Sequence, residues 1–270
     1  MNRKLRKRWK SVEMFGGAPM SRLWRAALSV ISIGAILAIW AELSRFGILS
    51  SALVPSPADV ARAAAAAISD GSLLKNAAVS LTRVLSGFVI AMIVAIPLGM
   101  VMGTSRTIQG LIEPLIELLR PVPPIAFIPL AIIWFGIGET SKVMIIAYGA
   151  FFPIFVNTIS GFRDVDRVHI RAARTLGAMR YEIFRDVILP SAFPQIVTGA
   201  RLGMGMAFIV LVAAELVASS TGLGYLINDA RISFRTDEIF VGICTIGILG
   251  LALNKGLLEI ERFLVRWKYL

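Results

Sequence analysis

The sequence predicts an all-α membrane protein with about six transmembrane helices and both termini in the cytoplasm. The first observation behind this prediction is composition. Hydrophobic residues make up 57% of the 270 residues and charged residues only 17%, against about 45–50% and about 25% in soluble domains. A soluble chain of this composition would lack the polar side chains to cover its surface. The other two observations are the spacing of the charges and the uneven distribution of basic residues.

The spans are predicted from intervals without charged residues, because a charge at the bilayer centre costs at least ~2.5 kcal/mol. A spanning helix needs about 20 apolar residues, and a charge at its end can snorkel to the interface. The intervals are 26–41, 84–105, 121–138, 143–162, 187–214 (interrupted by Arg201) and 239–254. Six helices are the simplest count.

The basic residues predict the orientation, because cytoplasmic segments carry an excess of lysine and arginine. With the N-terminal tail inside, eighteen basic residues fall in cytoplasmic segments and seven in external ones. Six of the eighteen lie in the loop 163–190. Both termini are therefore predicted to be cytoplasmic.

The segment 1–25 holds eight basic residues and one acid, Glu13. Such a tail is typical of a segment that lies against anionic lipid headgroups. Nucleic-acid binding is one alternative, although no domain accompanies the tail. A cleaved signal peptide is another, but Glu42 and Arg45 follow the apolar run without a clear small-x-small site.

Several classes of chemistry are excluded by residues that the sequence lacks. Cys244 is the one cysteine and His169 the one histidine, so an internal disulfide and a histidine-cluster metal site are impossible. No Gly-x4-Gly-Lys-Ser/Thr motif is present, so the chain has no P-loop with which to hydrolyse ATP. We predict no catalytic residues and no metal site.

A short external helix is predicted between the first two spans. Ser56, Pro57 and Asp59 have the order of an N-cap, a first-turn proline and an acid at the third helical position. The helix should follow the alanine-rich run to Ala67 and lie on the membrane surface as a covering element.

The long cytoplasmic loop has two amphipathic features. Asp166 is the predicted cap of a helix that ends before Gly177, and a second short helix follows it. Arginines at positions 167, 171 and 174 form one basic stripe, beside a face of small side chains at 168, 172 and 175. Small residues let another protein approach the backbone closely, whereas a loop bound to lipid headgroups is the alternative.

The loop resembles a motif of inner-membrane subunits of bacterial ABC importers. Ala172-Ala173, Gly177 and Leu189-Pro190 match the spacing Glu-Ala-Ala, three residues, Gly, nine residues, Ile-x-Leu-Pro. In that family the loop forms a coupling helix that docks into a cleft of the ATP-binding subunit. Arg171 stands where the motif has Glu, so a salt bridge made by that acid is not carried over. The predicted coupling residues are Arg167, Arg171, Ala172, Ala173, Arg174, Gly177, Leu189 and Pro190.

The resemblance extends from about Val54 to Trp267. Its further motifs are Arg120-Pro-Val-Pro-Pro, the stretch 133–142, Thr221-Gly-Leu-Gly and Thr236-Asp237, which are similar to the nitrate/sulfonate/bicarbonate/taurine permease subfamily. The resemblance implies a type I ABC importer permease fold in a bacterial inner membrane. It also implies two permease copies, two ATP-binding subunits that hold ATP and magnesium, and a periplasmic substrate-binding protein. No cofactor is expected in this chain.

The implied substrate is a small anion, with aliphatic sulfonate or taurine first and nitrate or bicarbonate next. A permease for an uncharged vitamin precursor is an alternative within the family. A stand-alone secondary transporter or channel is an alternative outside it, but no internal repeat or mid-membrane carboxylate pair is apparent.

Four residues are candidates for the translocation path or its gate: Pro123, Pro124, Arg201 and Glu215. The prolines break the helix where the third span begins, and the freed carbonyls must face protein or water. A bend lining a central path and a packing kink are both open. Arg201 is expected to snorkel near the cytoplasmic end. Glu215, near the external end, is a candidate for a gate residue or for a purely structural one, and Arg231 or Arg235 is its expected partner.

Two pairs of glycines complete the predicted organisation. Gly99/Gly103 and Gly199/Gly203 allow helices to approach closely, within one subunit or between subunits. The predicted divisions are the basic tail (1–25), the first transmembrane helix with the external segment (26–76), the ABC transmembrane type-1 domain (77–262) with coupling loop 163–190, and the cytoplasmic C-terminus (263–270).

Overall fold

A computed structural model describes residues 22–46, 50 and 53–264 of the chain. Over these residues the protein is helical and contains no strand, as the composition and charge spacing predict. Most of the predicted basic tail and the last six residues lie outside the described residues. The chain forms two compact units that divide between Asp59 and Val60.

The described residues form ten helices. They are α1 (Arg22–Arg45), α2 (Pro57–Ser69), α3 (Ser72–Thr104), α4 (Arg106–Leu119), α5 (Ile128–Phe135), α6 (Glu139–Arg163), α7 (Arg167–Thr175), α8 (Arg180–Ala218), α9 (Leu223–Ile232) and α10 (Thr236–Leu264). A single 3₁₀ turn, Pro124–Phe127, precedes α5. The early part of α8, Ile183–Ile188, is π-helical.

Four helices are long and apolar enough to cross a membrane, namely α3, α6, α8 and α10. The segment from α4 to α5 makes a fifth crossing if its two bent halves form one span. The predicted span 26–41 falls within α1, whose 24 residues extend for ~36 Å at 1.5 Å per residue. That α1 crosses the membrane stays a prediction.

The break that the prolines predict at the start of the third span is present. Helix α4 before it and the segment Pro124–Phe135 after it meet at an angle of 84°. Proline has no backbone N–H to continue the helix, so the chain turns at residues 121–124. Of the two acidic residues in α4, Glu113 accepts a hydrogen bond from Gln109 at 2.7 Å and lies 3.8 Å from Arg163, and Glu117 is exposed.

Two helices begin well before their predicted spans. Helix α3 starts at Ser72 rather than Val84, and α8 starts at Arg180 rather than Val187. Charged residues within these additional turns are either paired inside the protein, as for Arg83, or exposed, as for Arg185. A charged side chain therefore ends a helix at the membrane boundary only where it has neither a partner inside the protein nor contact with water.

Helix α6 forms the centre of the second unit, where it packs between α3 and α8. Its buried side chains Ile146, Ile154 and Phe155 belong to the main apolar cluster, with residues such as Ala95 and Ala207 from the flanking helices. Helices α3 and α8 approach α6 closely because the residues that they place against it, such as Ala95 and Ala207, are small.

Both predicted glycine pairs pack against α6 within this subunit. A Cβ added at Gly99 or Gly103 would lie 2.8 Å from Thr158 Cβ and 2.7 Å from Phe162 Cβ, respectively. At Gly199 and Gly203 it would lie 2.7 Å from side-chain atoms of Asn157 and Ile154. The glycines thus permit the close approach of α3 and α8 to α6. Of the two predicted uses, packing within one subunit or between subunits, this is packing within one subunit.

The predicted external helix is present as α2. The backbone N–H of Asp59 donates to Ser56 Oγ at 3.2 Å, and that of Ser56 donates to Asp59 Oδ2 at 3.1 Å. This reciprocal capping is the arrangement that the Ser-Pro-Ala-Asp order predicts. Its position on the membrane surface stays a prediction.

Candidate functional sites: the α7 loop, the proline bend and a buried ion-pair network

The first candidate site is the loop that contains α7. Asp166 Oδ1 accepts the backbone N–H of Val168 at 2.8 Å and so caps the helix as predicted. At the other end, the N–H of Gly177 bonds the carbonyl of Arg174 and the N–H of Ala178 bonds that of Ala173. This pair of bonds is a Schellman motif, and it requires the positive φ of +85° that Gly177 adopts.

The surface of this loop combines positive charge with exposed apolar side chains. The three arginines of the predicted stripe and Ala172 are exposed, whereas Ala173 is partly buried. Four large apolar side chains are also exposed: Val168 (64%), Leu176 (87%), Met179 (74%) and Tyr181 (70%). Apolar residues concentrated at such a tip are typical of a protein interaction surface.

The loop is anchored to the bundle by its second half. Phe184 stacks on Phe162 of α6 with ring centroids 6.3 Å apart, and Ile183 is buried. Phe162 in turn belongs to a small apolar cluster with Ala192 and Ile196 of α8. Helix α7 packs against Ile183–Ile188, the π-helical start of α8, and the Phe184–Phe162 stack joins that segment to α6.

The prediction of a separate second short helix in this loop is wrong. The chain is continuous from Arg180 to Ala218, and Leu189 and Pro190 lie inside α8. Pro190 cannot donate to the helical ladder, but the wider π turn just before it absorbs the break. Ser191 Oγ donates to the carbonyl of Val187 at 2.6 Å.

The second candidate site is the bend between α4 and α5. The carbonyl of Leu119 accepts the N–H of Val122 and the hydroxyl of Tyr148, each at 3.1 Å, so it faces protein as expected. Pro123 is exposed. Pro124 lines a cleft of about 330 Å³ with residues of α6 and α8. That this cleft belongs to the translocation path stays a prediction.

The third candidate site surrounds Glu215, which is only 1% exposed. Its Oε1 accepts a hydrogen bond from Arg83 Nη1 at 2.6 Å, and Ser80 Oγ donates to the same carboxylate at 2.8 Å. Oε2 accepts the backbone N–H of Gly224 at 2.8 Å. The partner of Glu215 is thus Arg83 of α3.

Arg83 connects Glu215 to the beginning of α6. Its Nε and Nη2 donate to the two oxygens of Glu139, both at 2.6 Å, in a bidentate pair. Lys142 also lies 3.2 Å from Glu139, so two cations and two carboxylates neutralise one another. Arg83 Nη1 further donates to the carbonyl of Thr221 at 2.7 Å. One buried guanidinium therefore ties α3, α6 and α8 to the turn before α9.

Two glycines of that turn are required by the network. Gly222 has φ +114°, and a Cβ there would overlap the Glu215 carboxylate; at Gly224 it would lie 2.6 Å from Glu215 Cβ. Asn76 Oδ1 accepts the N–H of Gly222, and Ser80 Oγ accepts that of Leu223, each at 2.8 Å. The turn closes over the carboxylate and shields it from water.

The expectation that Arg231 or Arg235 neutralises Glu215 is wrong. Arg231 donates to Asn228, and Arg235 pairs with Asp229 at 2.9 Å and with Glu238. Both arginines are exposed. From the sequence alone, Arg83 and Glu139 are the boundaries of two predicted spans. Both boundaries are predicted on the external side, and this is the signal that their side chains lie at one level.

Arg201 lies on α8 and is directed towards α10. Its Nε donates to Asn254 Oδ1 at 3.2 Å, and its Nη1 lies 3.8 Å from Glu261. Arg201 and Glu215 do not pair with each other, as the helical spacing predicts. The path or gate roles of Arg201 and Glu215 stay predictions.

The comparisons with known proteins agree with these features. Residues 87–266 match the family described as binding-protein-dependent transport system inner membrane component. The taurine transport system permease protein TauC of Escherichia coli is 38% identical over 98% of this chain and 94% of its own length. The nitrate import permease protein NrtB of Synechocystis is 34% identical over 69% of this chain and 68% of its own.

A solved structure supports the fold. The MetNI methionine ABC transporter in an inward-facing conformation has a chain that covers 69% of this one, with 96% of that chain matched, a TM-score of 0.53 and 18% identity. Together with the multiple apolar helices, these similarities establish a multi-pass membrane subunit of the ABC transporter class. The protein belongs to the family of inner membrane components of binding-protein-dependent transport systems.

Proposed function

We propose that this chain is the permease subunit of a type I ABC importer in a bacterial inner membrane, and that it translocates a small sulfonate, with taurine first. The observation that carries the proposal is α7: an exposed helix with three arginines and an apolar tip, packed against the start of α8, which the Phe184–Phe162 stack joins to α6. The name of the taurine relative supports the choice of substrate. Nitrate, bicarbonate and an uncharged vitamin precursor are competing substrates in the test.

The proposed complex contains two copies of the permease and two ATP-binding subunits, with a periplasmic protein that delivers the substrate. ATP and magnesium belong to the partner subunits, and this chain contributes no hydrolytic residue. Closure of the ATP-binding subunits draws the two α7 helices together. The packed contacts between the loop, α6 and α8 carry that displacement into the spans and shift the balance between inward-open and outward-open states.

Uptake by the reconstituted complex tests the substrate. Proteoliposomes that contain the permease, its ATP-binding subunit and its binding protein are expected to accumulate radiolabelled taurine in an ATP-dependent manner. An excess of an unlabelled alkane sulfonate should reduce that uptake, whereas nitrate should not. Competition by nitrate alone would assign the chain to nitrate transport. Uptake that proceeds without ATP would contradict the importer mechanism.

The orientation predicted from the basic residues is tested by cysteine labelling. In a Cys244→Ser background, cysteines are placed singly at Ser220, which follows α8, and at Leu176, which follows α7; both positions are exposed. We expect a membrane-impermeant thiol reagent added to intact cells to label position 220, and to label position 176 only after permeabilisation. Labelling of position 176 from outside would place α7 on the wrong side for an ATP-binding partner.

A further inference from the structure

A single arginine occupies the sharp bend of the third span. Arg120 immediately follows α4 and precedes the prolines, at the midpoint of the bent segment Arg106–Phe135. Charged side chains within membrane spans face a protein cavity or water and mark functional positions. Among the described residues, no carboxylate forms an ion pair with Arg120. Its positive charge is therefore available to a mobile anion.

Arg120 lines the same cleft as Pro124, about 330 Å³ in volume. The opposite wall is Asn157 of α6, whose Nδ2 donates to the carbonyl of Pro153 at 2.8 Å. No further hydrogen bond of the Asn157 side chain is found within the described part of the chain. Its second N–H is thus a neutral donor in reach of the cleft. Leu202 and Met206 of α8 supply an apolar wall.

The depth of the cleft follows from residue counts along α6. Gly149, at one end of the cleft, lies ~15 Å along the helix from Glu139 at its external end. Asn157, at the other end, lies ~9 Å from Arg163 at the cytoplasmic end. The cleft therefore extends from the middle of the membrane towards the cytoplasmic side. An anion released into the spans would meet it after leaving the external face.

We propose that Arg120 and Asn157 form a transient binding station for the sulfonate or another oxyanion during translocation. The planar guanidinium matches two oxygens of such an anion, and it remains charged at any physiological pH. The apolar wall accommodates the short aliphatic stem. This inference rests on the proposed function, because it assigns the site at which the transported anion pauses.

The positive charge of the cleft is tested by the labelling rates of a cysteine placed in it, a measurement that does not depend on transport. In a Cys244→Ser background, Leu202, which is 55% exposed, is replaced by cysteine. With each rate divided by that of the same reagent with a free thiol in solution, the sulfonate-bearing methanethiosulfonate is expected to be favoured over its trimethylammonium counterpart, and Arg120→Gln should lower this normalised rate ratio about tenfold. Arg106→Gln, an exposed arginine ~20 Å away at the other end of α4, should leave the ratio unchanged.

Transport provides the second measurement. In proteoliposomes, Arg120→Gln is expected to reduce the maximum uptake rate at least tenfold. The half-saturating substrate concentration should stay unchanged because the binding protein sets it, and stimulation of ATP hydrolysis by the loaded binding protein should persist. Arg120→Lys should recover part of the rate because it keeps the charge without the bidentate geometry.

Three results would overturn the inference: a normalised rate ratio that does not favour the sulfonate reagent with Arg120 present, a ratio that Arg120→Gln does not change, or a maximum uptake rate that Arg120→Gln does not change. A failure of the proposed function is distinguishable from these. In that case no form of the complex takes up any of the anions, whereas the reagent ratio is still measured on the assembled protein.

Discussion

Replacement of Arg83 by alanine is expected to destabilise the permease by about 3–5 kcal/mol, the usual cost of breaking a buried ion pair from one side. Arg83 is 2% exposed and holds two carboxylates. Without it, Glu215 remains buried with only Ser80 and the Gly224 N–H as donors. The measurement is the melting temperature of the purified subunit in detergent.

Arg235 provides a matched control. It also pairs with two carboxylates, Asp229 and Glu238, but its side chain is 47% exposed. Exposed ion pairs contribute only about 0–1 kcal/mol, so Arg235→Ala should change the melting temperature little. Equal effects of the two alanine variants would mean that the buried network does not stabilise the fold.

A double variant tests whether Arg83 and Glu215 stabilise the protein through their direct contact. Arg83→Leu with Glu215→Leu removes both charges and leaves Glu139 paired with Lys142. Since replacing both members of a buried pair is often nearly neutral, whereas removing one is costly, the double variant should be more stable than the sum of the single effects by at least ~1 kcal/mol. Strict additivity would contradict the direct pairing.

The same network allows the gate role of Glu215 to be measured. A gate residue acts on the balance between conformations, so Glu215→Gln should change the stimulation of ATP hydrolysis by the loaded binding protein. A purely structural residue should change the melting temperature and leave that stimulation as in the unmodified complex. Because Glu215 is enclosed by the turn at Gly222, a gate role would require this turn to open.

Introduction of a negative charge on α7 is expected to abolish assembly with the ATP-binding subunit. Ala172→Glu places a carboxylate on the exposed face of small side chains, where the proposed partner approaches closely. An unpaired charge buried at an interface costs about 2–5 kcal/mol, which weakens binding by roughly thirty-fold to several thousand-fold. Co-purification of the ATP-binding subunit should be lost, and membrane insertion of the permease should be normal.

The control for this prediction carries the same negative charge outside the loop. Thr107 is exposed in the first turn of α4, where an acidic side chain favours the helix, so Thr107→Glu should not affect co-purification. Gly177→Val tests the Schellman turn separately: a Cβ there would meet no atom within 4 Å, so the positive φ of +85° is the source of its strain. Undiminished binding by the Ala172→Glu variant would exclude docking through this face.

The sequence by itself determined the features that depend on local chemistry. The apolar intervals identified helices α3, α6, α8 and α10, although not their ends. The caps at Ser56 and Asp166 and the end of α7 before Gly177 were predicted correctly. Capping, turn geometry and hydrophobic length involve residues within a few positions of one another, so their energetics can be read from a linear sequence.

Only the tertiary structure decided which distant polar groups meet. Arg83 and Glu215 are separated by 132 positions in sequence, and their pairing depends on how α3 and α8 pack on α6. The same packing cancels the cost of charges that sequence reasoning used as span boundaries, which is why α3 starts twelve residues earlier than predicted. It also turns the proline-broken segment into one wall of a cleft that contains Arg120 and Asn157. The physical reason is that the energy of a charge in a membrane depends on its neighbours in space, and those neighbours come from other helices.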